Sequence, residues 1–265
     1  SLQFMVFEMI TMKEIEIKVS QLAHWFAQIE SQIIAFPLIW MFAKAYGVNT
    51  EESGPLSQFR SLKEFFTRKI DLKKHRNQPS ENHIVSPCDG TLSAFGHVDL
   101  SKKQALEIKG SQFSPAQLVG KDFLELIDKS NFFVFYLAPG DYHCFHTPFK
   151  NLRWVEKRII PGRFFSVRPQ KGGVSNKLSE NERVICQFQT ESNDTIIMVL
   201  IGAMIVRSIE LMDFDPNKPM ELGALLGQFN FGSSIVVFSP SNATRGFGDL
   251  QVGRVKTFDP IMEVS

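Results

Sequence analysis

The sequence is poor in cysteine, in net charge and in long apolar runs, and each shortage excludes something. Three cysteines among 265 residues, Cys88, Cys144 and Cys186, cannot all pair, and their spacing lays out no disulfide framework. That predicts a reducing, cytosolic-side location. Lysine and arginine total 29 against 28 aspartates and glutamates, leaving a formal net charge of +1 and no bulk electrostatic case for nucleic acid. No segment qualifies as a membrane-spanning helix. The longest early apolar run, Ile33 to Ala43, has 11 residues and contains Pro37, well short of the ~20 that a span requires. The N-terminus shows no basic stretch leading into an apolar core and a small-residue cleavage site, so it does not read as a secretory signal. Tyrosine and tryptophan number three each, whereas phenylalanine numbers 25. Much of that excess belongs in a core, and it also suits a protein that meets lipid acyl chains.

What is present divides into a helical start and a strand-rich remainder. The length allows one large domain, or one domain with a substantial appendage. Ile15, Val19, Leu22, Phe26, Ile29 and Ile33 recur at spacings of 4, 3, 4, 3 and 4, which places them on one helical stripe. FPLIWMFAKAYG follows and is apolar almost all round, with Trp40 and Tyr46 near its ends. Residues 1–48 therefore read either as a helical pair packed on the body or as a monotopic anchor lying in a membrane interface. Asn49 to Ser57 reads as a polar linker containing Gly-Pro. SLKEFFTRKI predicts a short amphipathic helix with Leu62, Phe65, Phe66 and Ile70 on one side and capping-box spacing between Ser61 and Glu64. From about residue 80 the runs shorten and fill with Val, Ile and Phe. NFFVFYL (131–137), RVICQF (183–188), TIIMVLIGAMIVRSI (195–209) and SIVVF (234–238) predict strands, with Gly202 dividing the longest or marking a bulge. Residues 168–182 read as a long polar loop. The predicted class is α+β but mainly β: an antiparallel body over 49–265 behind an N-terminal helical region.

Three places can carry chemistry. In IVSPCDGTLSAFG, Asp89 sits in a Pro-x-Asp-Gly turn after a strand, where aspartate is usually a plain turn residue. In YLAPGDYHCFHTPF, His143 and His146 follow the end of an apolar strand. Three apart on an extended strand they face opposite ways, whereas in a turn or helix they share a face and reach one pocket. In FNFGSSIVVF, Gly232-Ser233-Ser234 is ordinarily a turn, yet aromatics flank it and a β-branched run follows. Together Asp, His and Ser form the set that makes a hydroxyl nucleophilic. Their order is compatible with a hydrolase, but no Gly-x-Ser-x-Gly elbow places the serine. A zinc site from Cys88, Asp89, His143, Cys144 and His146 is a weaker alternative, since adjacent His143 and Cys144 chelate poorly and no Cys-x-x-Cys pair exists.

Taken in order, these segments resemble phosphatidylserine decarboxylases, the pyruvoyl-dependent family. SLKEFFTRKI resembles the family's Phe-Phe-x-Arg segment, SPCDG its Ser-Pro-x-Asp-Gly turn, and DYHCFHTP its Asp-Tyr-His-x-x-His-x-Pro site. GRFFSV (162–167) and NERVICQF (181–188) match as well, and FGSS stands where the family has Leu-Gly-Ser-Thr. The resemblance implies that Ser233 attacks the carbonyl of Gly232, splitting the chain into 1–232 and a 33-residue piece whose first residue becomes the pyruvoyl cofactor. It assigns His146 as the base, Asp89 as the group orienting its imidazole, and Ser234 as a hydroxyl for the developing oxyanion. It further implies a Schiff base between the pyruvoyl and phosphatidylserine, loss of carbon dioxide to give phosphatidylethanolamine, and protonation by His143. Phe164, Phe165 and Ser166 are then expected to meet the substrate, and no metal is expected. The expected setting is the cytoplasmic side of the cell membrane, held peripherally, with the two chains staying together; a homodimer is compatible. The chain departs from the pattern at Phe231 and Ser234, and at Leu222 and Leu225, where the family has Lys and Glu. A relative that binds phospholipid without cutting itself is the alternative.

Overall fold

The apolar runs assemble into a seven-stranded antiparallel sheet. The protein was analysed as a computed structural model that describes residues 22, 25–102, 106–108, 111–163, 165–168, 178–203, 208–241 and 247–264. In chain order the strands begin with β1 (His83–Val85), β2 (Gly90–His97), β3 (Leu106–Ile108), β4 (Ser111–Phe113) and β5 (Ser130–Leu137). They continue with β6 (Cys144–His146), β7 (Arg153–Ile160), β8 (Arg183–Gln189), β9 (Thr195–Gly202) and β10 (Ile209–Leu211). β11 (Leu225–Phe229), β12 (Ser233–Pro240), β13 (Gly253–Val255) and β14 (Pro260–Glu263) complete the set. The large sheet runs β13-β2-β5-β12-β9-β8-β7, and β10-β11-β6 form a smaller one. Three of the four predicted apolar runs lie within strands, and the longest forms β9 up to Gly202, with residues 204–207 outside the described ones.

The central strands are apolar at almost every position because both faces of the sheet are covered. Along β12, Val236 and Phe238 enter one cluster with Leu118, Val119 and Phe123, while Ile235 and Val237 enter another with Phe145, Leu226 and Phe229. β5 and β9 alternate in the same way: Phe132, Val134, Ile197, Val199 and Ile201 turn to the first cluster. Phe133, Phe135, Leu137, Met198 and Leu200 turn to the second. Period-2 alternation thus survives within runs that look continuous, since both facing sets are hydrophobic. The second face carries the small sheet, whose Phe145, Leu226 and Phe229 share the cluster of Ile235 and Val237.

The N-terminal region departs from the single predicted stripe. Ile15 and Val19 lie outside the described residues, the chain leaves helical geometry at 28–31, and Ile33 is 87% exposed. Ser31 opens a new helix, α1 (Gln32–Tyr46), whose buried side is instead Ala35, Ile39 and Ala43. These pack with Val48, Phe59 and Phe65 in one cluster, so a shared core crosses the boundary expected at 48/49. The expected linker also has structure. Asn49 accepts from Glu51 N to start the short helix α2 (Thr50–Ser53), and Leu56–Gln58 form a 3-10 turn. Ser61 caps α3 (Leu62–Phe66) by accepting from Glu64 N, as its spacing predicts, but Ile70 lies beyond the helix end. α4 (Leu72–His75) and α5 (Pro115–Val119) complete the helices described, and among these residues none is long and apolar enough to cross a membrane. Most of the polar loop at 168–182 falls outside the described residues.

Candidate active site

Three strand ends converge where β12 begins. Ser233 is paired in register with Leu137, the last residue of β5, and with Gly202, the last of β9. The Ser233 side chain is fully buried and its Oγ has no hydrogen-bond partner. A buried hydroxyl without a partner is costly, so its persistence marks a site rather than a packing choice. Gly232 just before it is half-buried, with open space where a side chain would stand.

The turn after β5 is built to hold His143. Asp141 closes it, with its N–H donating to Ala138 O at 2.9 Å and its carboxylate accepting from Ala138 N at 2.7 Å. Arg254 grips the same carboxylate with two hydrogen bonds, and buried Arg68 donates to the carbonyls of Gly140 (2.7 Å) and Asp141 (3.2 Å). The carbonyl of Asp141 also accepts from His143 Nδ1 at 2.9 Å, which leaves Nε2 with a lone pair and no partner. Phe66 lies 4.0 Å from the imidazole, centroid to centroid, and stacks on Phe231 at 5.2 Å and 10°. The Phe-Phe-x-Arg segment therefore links the histidine turn to the turn carrying Gly232. Gly140 is needed because a side chain there would strike the carbonyl of Tyr46, at the end of α1.

His146 has different neighbours. Its Nδ1 donates to Gly223 O at 3.0 Å and its Nε2 accepts from the Tyr142 hydroxyl at 3.3 Å. The expectation of one shared pocket for the two histidines is corrected here: β6 is extended, so the rings turn to different partners, Phe66 for His143 and Tyr142 with Phe258 for His146. Both rings are neutral. Burial pushes His143 down to about 4 and His146 down to about 4, although the backbone carbonyl each one meets opposes this. Burial also raises the Tyr142 phenol well above its usual range, so it remains a donor.

Asp89 does not orient His146 in this structure. Its carboxylate is taken by buried Arg76, through Nε at 3.1 Å and a second short contact from Nη2, and by Thr257 N and Oγ1 at 2.9 and 2.8 Å. Arg76 also reaches Glu52 at 2.8 Å, and Lys256 meets Glu52 at 3.1 Å. Burial opposes the charge on Glu52, but hydrogen bonds from Arg76 and Lys256 prevail and hold its carboxyl below the usual range. Ser234 is buried on the face opposite Ser233, since alternation puts it with Val236 and Phe238. Phe164 lies outside the described residues; Phe165 is half-buried beneath Arg163, and Ser166 is exposed. Buried Asn181 ties the Phe165 backbone, at 3.0 and 2.7 Å, to Gly202 O at 2.9 Å, which sets this segment at the same sheet end. Leu225 stands opposite His146 across the small sheet, and Leu222 is half-buried nearby in sequence. Among the described residues no group of three or more His, Cys, Asp or Glu side chains could hold a metal. Sequence reading missed Arg76, Thr257 and Gly223, which carry no local signal. Tyr142, Asp141 and Arg68 lie inside the matched motifs and could have been singled out there.

Comparison with known proteins sets this chain among decarboxylases, enzymes of the carboxy-lyase class. The chain belongs to the phosphatidylserine decarboxylase family, whose sequence model matches residues 62–256. It is 33% identical over 258 residues to the phosphatidylserine decarboxylase proenzyme of Alcanivorax borkumensis, covering 88% of this chain and 87% of the relative. The proenzyme of Mannheimia succiniciproducens is 31% identical over 271 residues, covering 93% and 90%, and that of Shewanella amazonensis 30% over 257 residues, covering 87% and 88%.

Proposed function

We propose that the chain is a proenzyme that cuts itself between Gly232 and Ser233, converts Ser233 to a pyruvoyl group, and decarboxylates phosphatidylserine to phosphatidylethanolamine. The observation that carries the proposal is the fully buried, unpartnered Ser233 hydroxyl directly after a half-buried glycine with open space beside its Cα. No external substrate reaches such a hydroxyl easily; its own backbone does. The Ser233 oxygen adds to the Gly232 carbonyl carbon while its proton passes to Nε2 of His146, which gives up its hydrogen bond from Tyr142 to receive it. The Ser233 nitrogen regains that proton as the C–N bond breaks, leaving an ester. Loss of the Ser233 α-proton expels the Gly232 carboxylate from Cβ, and hydrolysis of the dehydroalanine releases ammonia and leaves a ketone.

The surroundings fit that group. Residue 233 is buried between strand ends, where a ketone is shielded from bulk water. Once formed, the pyruvoyl supplies a carbonyl that captures the substrate amine and accepts the electron pair of the breaking carbon–carboxylate bond. His143, neutral and with Nε2 open, takes the proton that the substrate ammonium loses and returns it to the carbon vacated by carbon dioxide. Asp89 and Asp141 act as positioning residues. Through Thr257 and Arg254 they clasp the 233–265 piece to the rest of the molecule, so the two chains stay together after cleavage. Phe165 and Ser166 border the same sheet end and are proposed to meet the lipid. Peripheral attachment to the cytoplasmic side of the membrane is proposed for α1, whose outer side exposes Ile33, Phe36, Trp40 and Met41. Lys44 lies 5.0 Å over Trp40, as suits a headgroup-level aromatic, and the far end of α1 packs against the Gly140 turn. Intact-mass analysis tests the proposal. Wild type should give chains of residues 1–232 and 233–265, the smaller one trapped by a carbonyl reagent, whereas Ser233→Ala should stay whole. A wild-type protein that remains one unreactive chain refutes the proposal and leaves a phospholipid-binding relative.

A further inference from the structure

We infer that Ser208 is a further catalytic residue for self-cleavage: its hydroxyl holds the Ser233 nucleophile in the rotamer that reaches Gly232. The inference rests on the self-cleavage reading above. Ser208 precedes β10 and is completely buried, and its Oγ has no hydrogen-bond partner. Among the described residues the hydroxyls of Ser208, Ser233 and Ser239 are buried without a partner, a costly state that calls for explanation, and the strand register brings the first two to one place.

Gly202 is the cross-strand partner of Ser233. Its N–H donates to Glu182 O at 3.1 Å and its carbonyl accepts from Asn181 Nδ2 at 2.9 Å, so both backbone groups turn away from β12. The pair is therefore of the non-hydrogen-bonded kind, in which facing side chains approach most closely, with Cβ positions about 4.5–5.5 Å apart. Gly202 has no side chain, and Ser208 Oγ lies 2.2 Å from the point where its Cβ would stand. The Ser208 hydroxyl thus occupies the side-chain slot opposite Ser233, on the same face of the sheet. Both hydroxyls lack a partner on this one face, and rotation of Ser233 about χ1 is the movement that pairs them. The carbonyl of Ser208 accepts from Asn230 N at 2.7 Å, which ties it to the turn carrying Gly232. Ser234, the other hydroxyl at the junction, faces the opposite side.

Ser208 Oγ–H donates a hydrogen bond to Ser233 Oγ, which leaves the Ser233 proton free for the base and fixes the remaining lone pair toward the Gly232 carbonyl carbon. No proton is transferred to Ser208; the Ser233 proton goes to the imidazole base. The requirement for glycine at 202 follows, because any side chain there would evict the hydroxyl.

The test follows cleavage of freshly synthesised full-length precursor with time, resolving one band from two. Ser208→Ala should slow cleavage on the order of tenfold to a hundredfold, the effect of a misdirected reacting group, with an unchanged urea midpoint in the Ser233→Ala background. Ser208→Thr should restore most of the rate. Gly202→Ala combined with Ser208→Ala, where the clash is gone, should fold and cleave as slowly as Ser208→Ala alone. Hydroxylamine, which cuts esters and not amides, should leave Ser208→Ala largely whole because the addition is the slowed step. Cleavage of Ser208→Ala at the wild-type rate overturns the inference and leaves self-cleavage intact. So does slowing that tracks a lowered urea midpoint, or slowing that Ser208→Thr does not relieve. Rapid cutting by hydroxylamine assigns the defect to a later step and overturns it too. A wild-type precursor that never cleaves removes the underlying reading and this inference together.

Discussion

Lowering the pH should unfold this protein through its two buried imidazoles, at a pH well above that where carboxylates take up protons. His143 and His146 titrate near 4 when folded, against about 6.5 when unfolded. Below 6.5 the unfolded chain binds protons that the native state refuses, so stability falls as the pH falls, and the loss is complete only below the folded values. Between pH 7 and pH 5 the linkage integral amounts to about 2 kcal/mol for each ring and about 4 kcal/mol for the pair. That is a large share of the ~5–15 kcal/mol that holds an ordinary domain. Glu52, whose folded value is depressed, adds its loss in a lower window, beneath the unfolded carboxyl value. The measurement is the urea midpoint of the uncleavable Ser233→Ala precursor at several pH values, compared with the same precursor carrying His143→Asn. The parent should lose about 4 kcal/mol across pH 7–5, and the variant about half of that. A parent whose midpoint is flat across this range, or a variant with an undiminished slope, refutes the account of the rings as buried, neutral bases.

Other outcomes follow from the same geometry. His146→Ala should block chain separation, whereas His143→Ala should mature and then decarboxylate poorly; equal behaviour in a two-band assay and a carbon dioxide release assay would reject that division of labour. Arg76→Met leaves buried Asp89 and half-buried Glu52 without their guanidinium and should lower stability by about 3 kcal/mol in urea titration. Trp40→Glu with Met41→Glu should weaken cosedimentation with anionic phospholipid vesicles while leaving chain separation unchanged, because both side chains point outward from α1.

Strand content, the capped α3 and the position of the scissile bond were legible in the linear sequence, because each rests on neighbours close in the chain. Val-rich runs such as SIVVF form strands wherever they are buried, and a serine three residues before a glutamate caps a helix locally. The approximate membership of the site was legible as well, since Asp89, His143, His146 and Ser233 stand in motifs whose order survives. What each of them touches was not. Ser234 and Ser233 look interchangeable in sequence, yet strand alternation turns one hydroxyl to the histidine layer and the other away from it. Asp89 reads in sequence as the natural partner for a histidine, but Arg76 and Thr257, 13 and 168 residues away, occupy it.

Local order thus determined that this chain is mainly β, carries a Gly-Ser junction at a strand start, and resembles its family in its motifs. Only the tertiary structure decided which hydroxyl, imidazole and carboxylate meet. Those contacts depend on strand register and on the layering of one sheet upon another. A side chain such as Ser208 becomes part of the site solely because a glycine on the neighbouring strand leaves room for it.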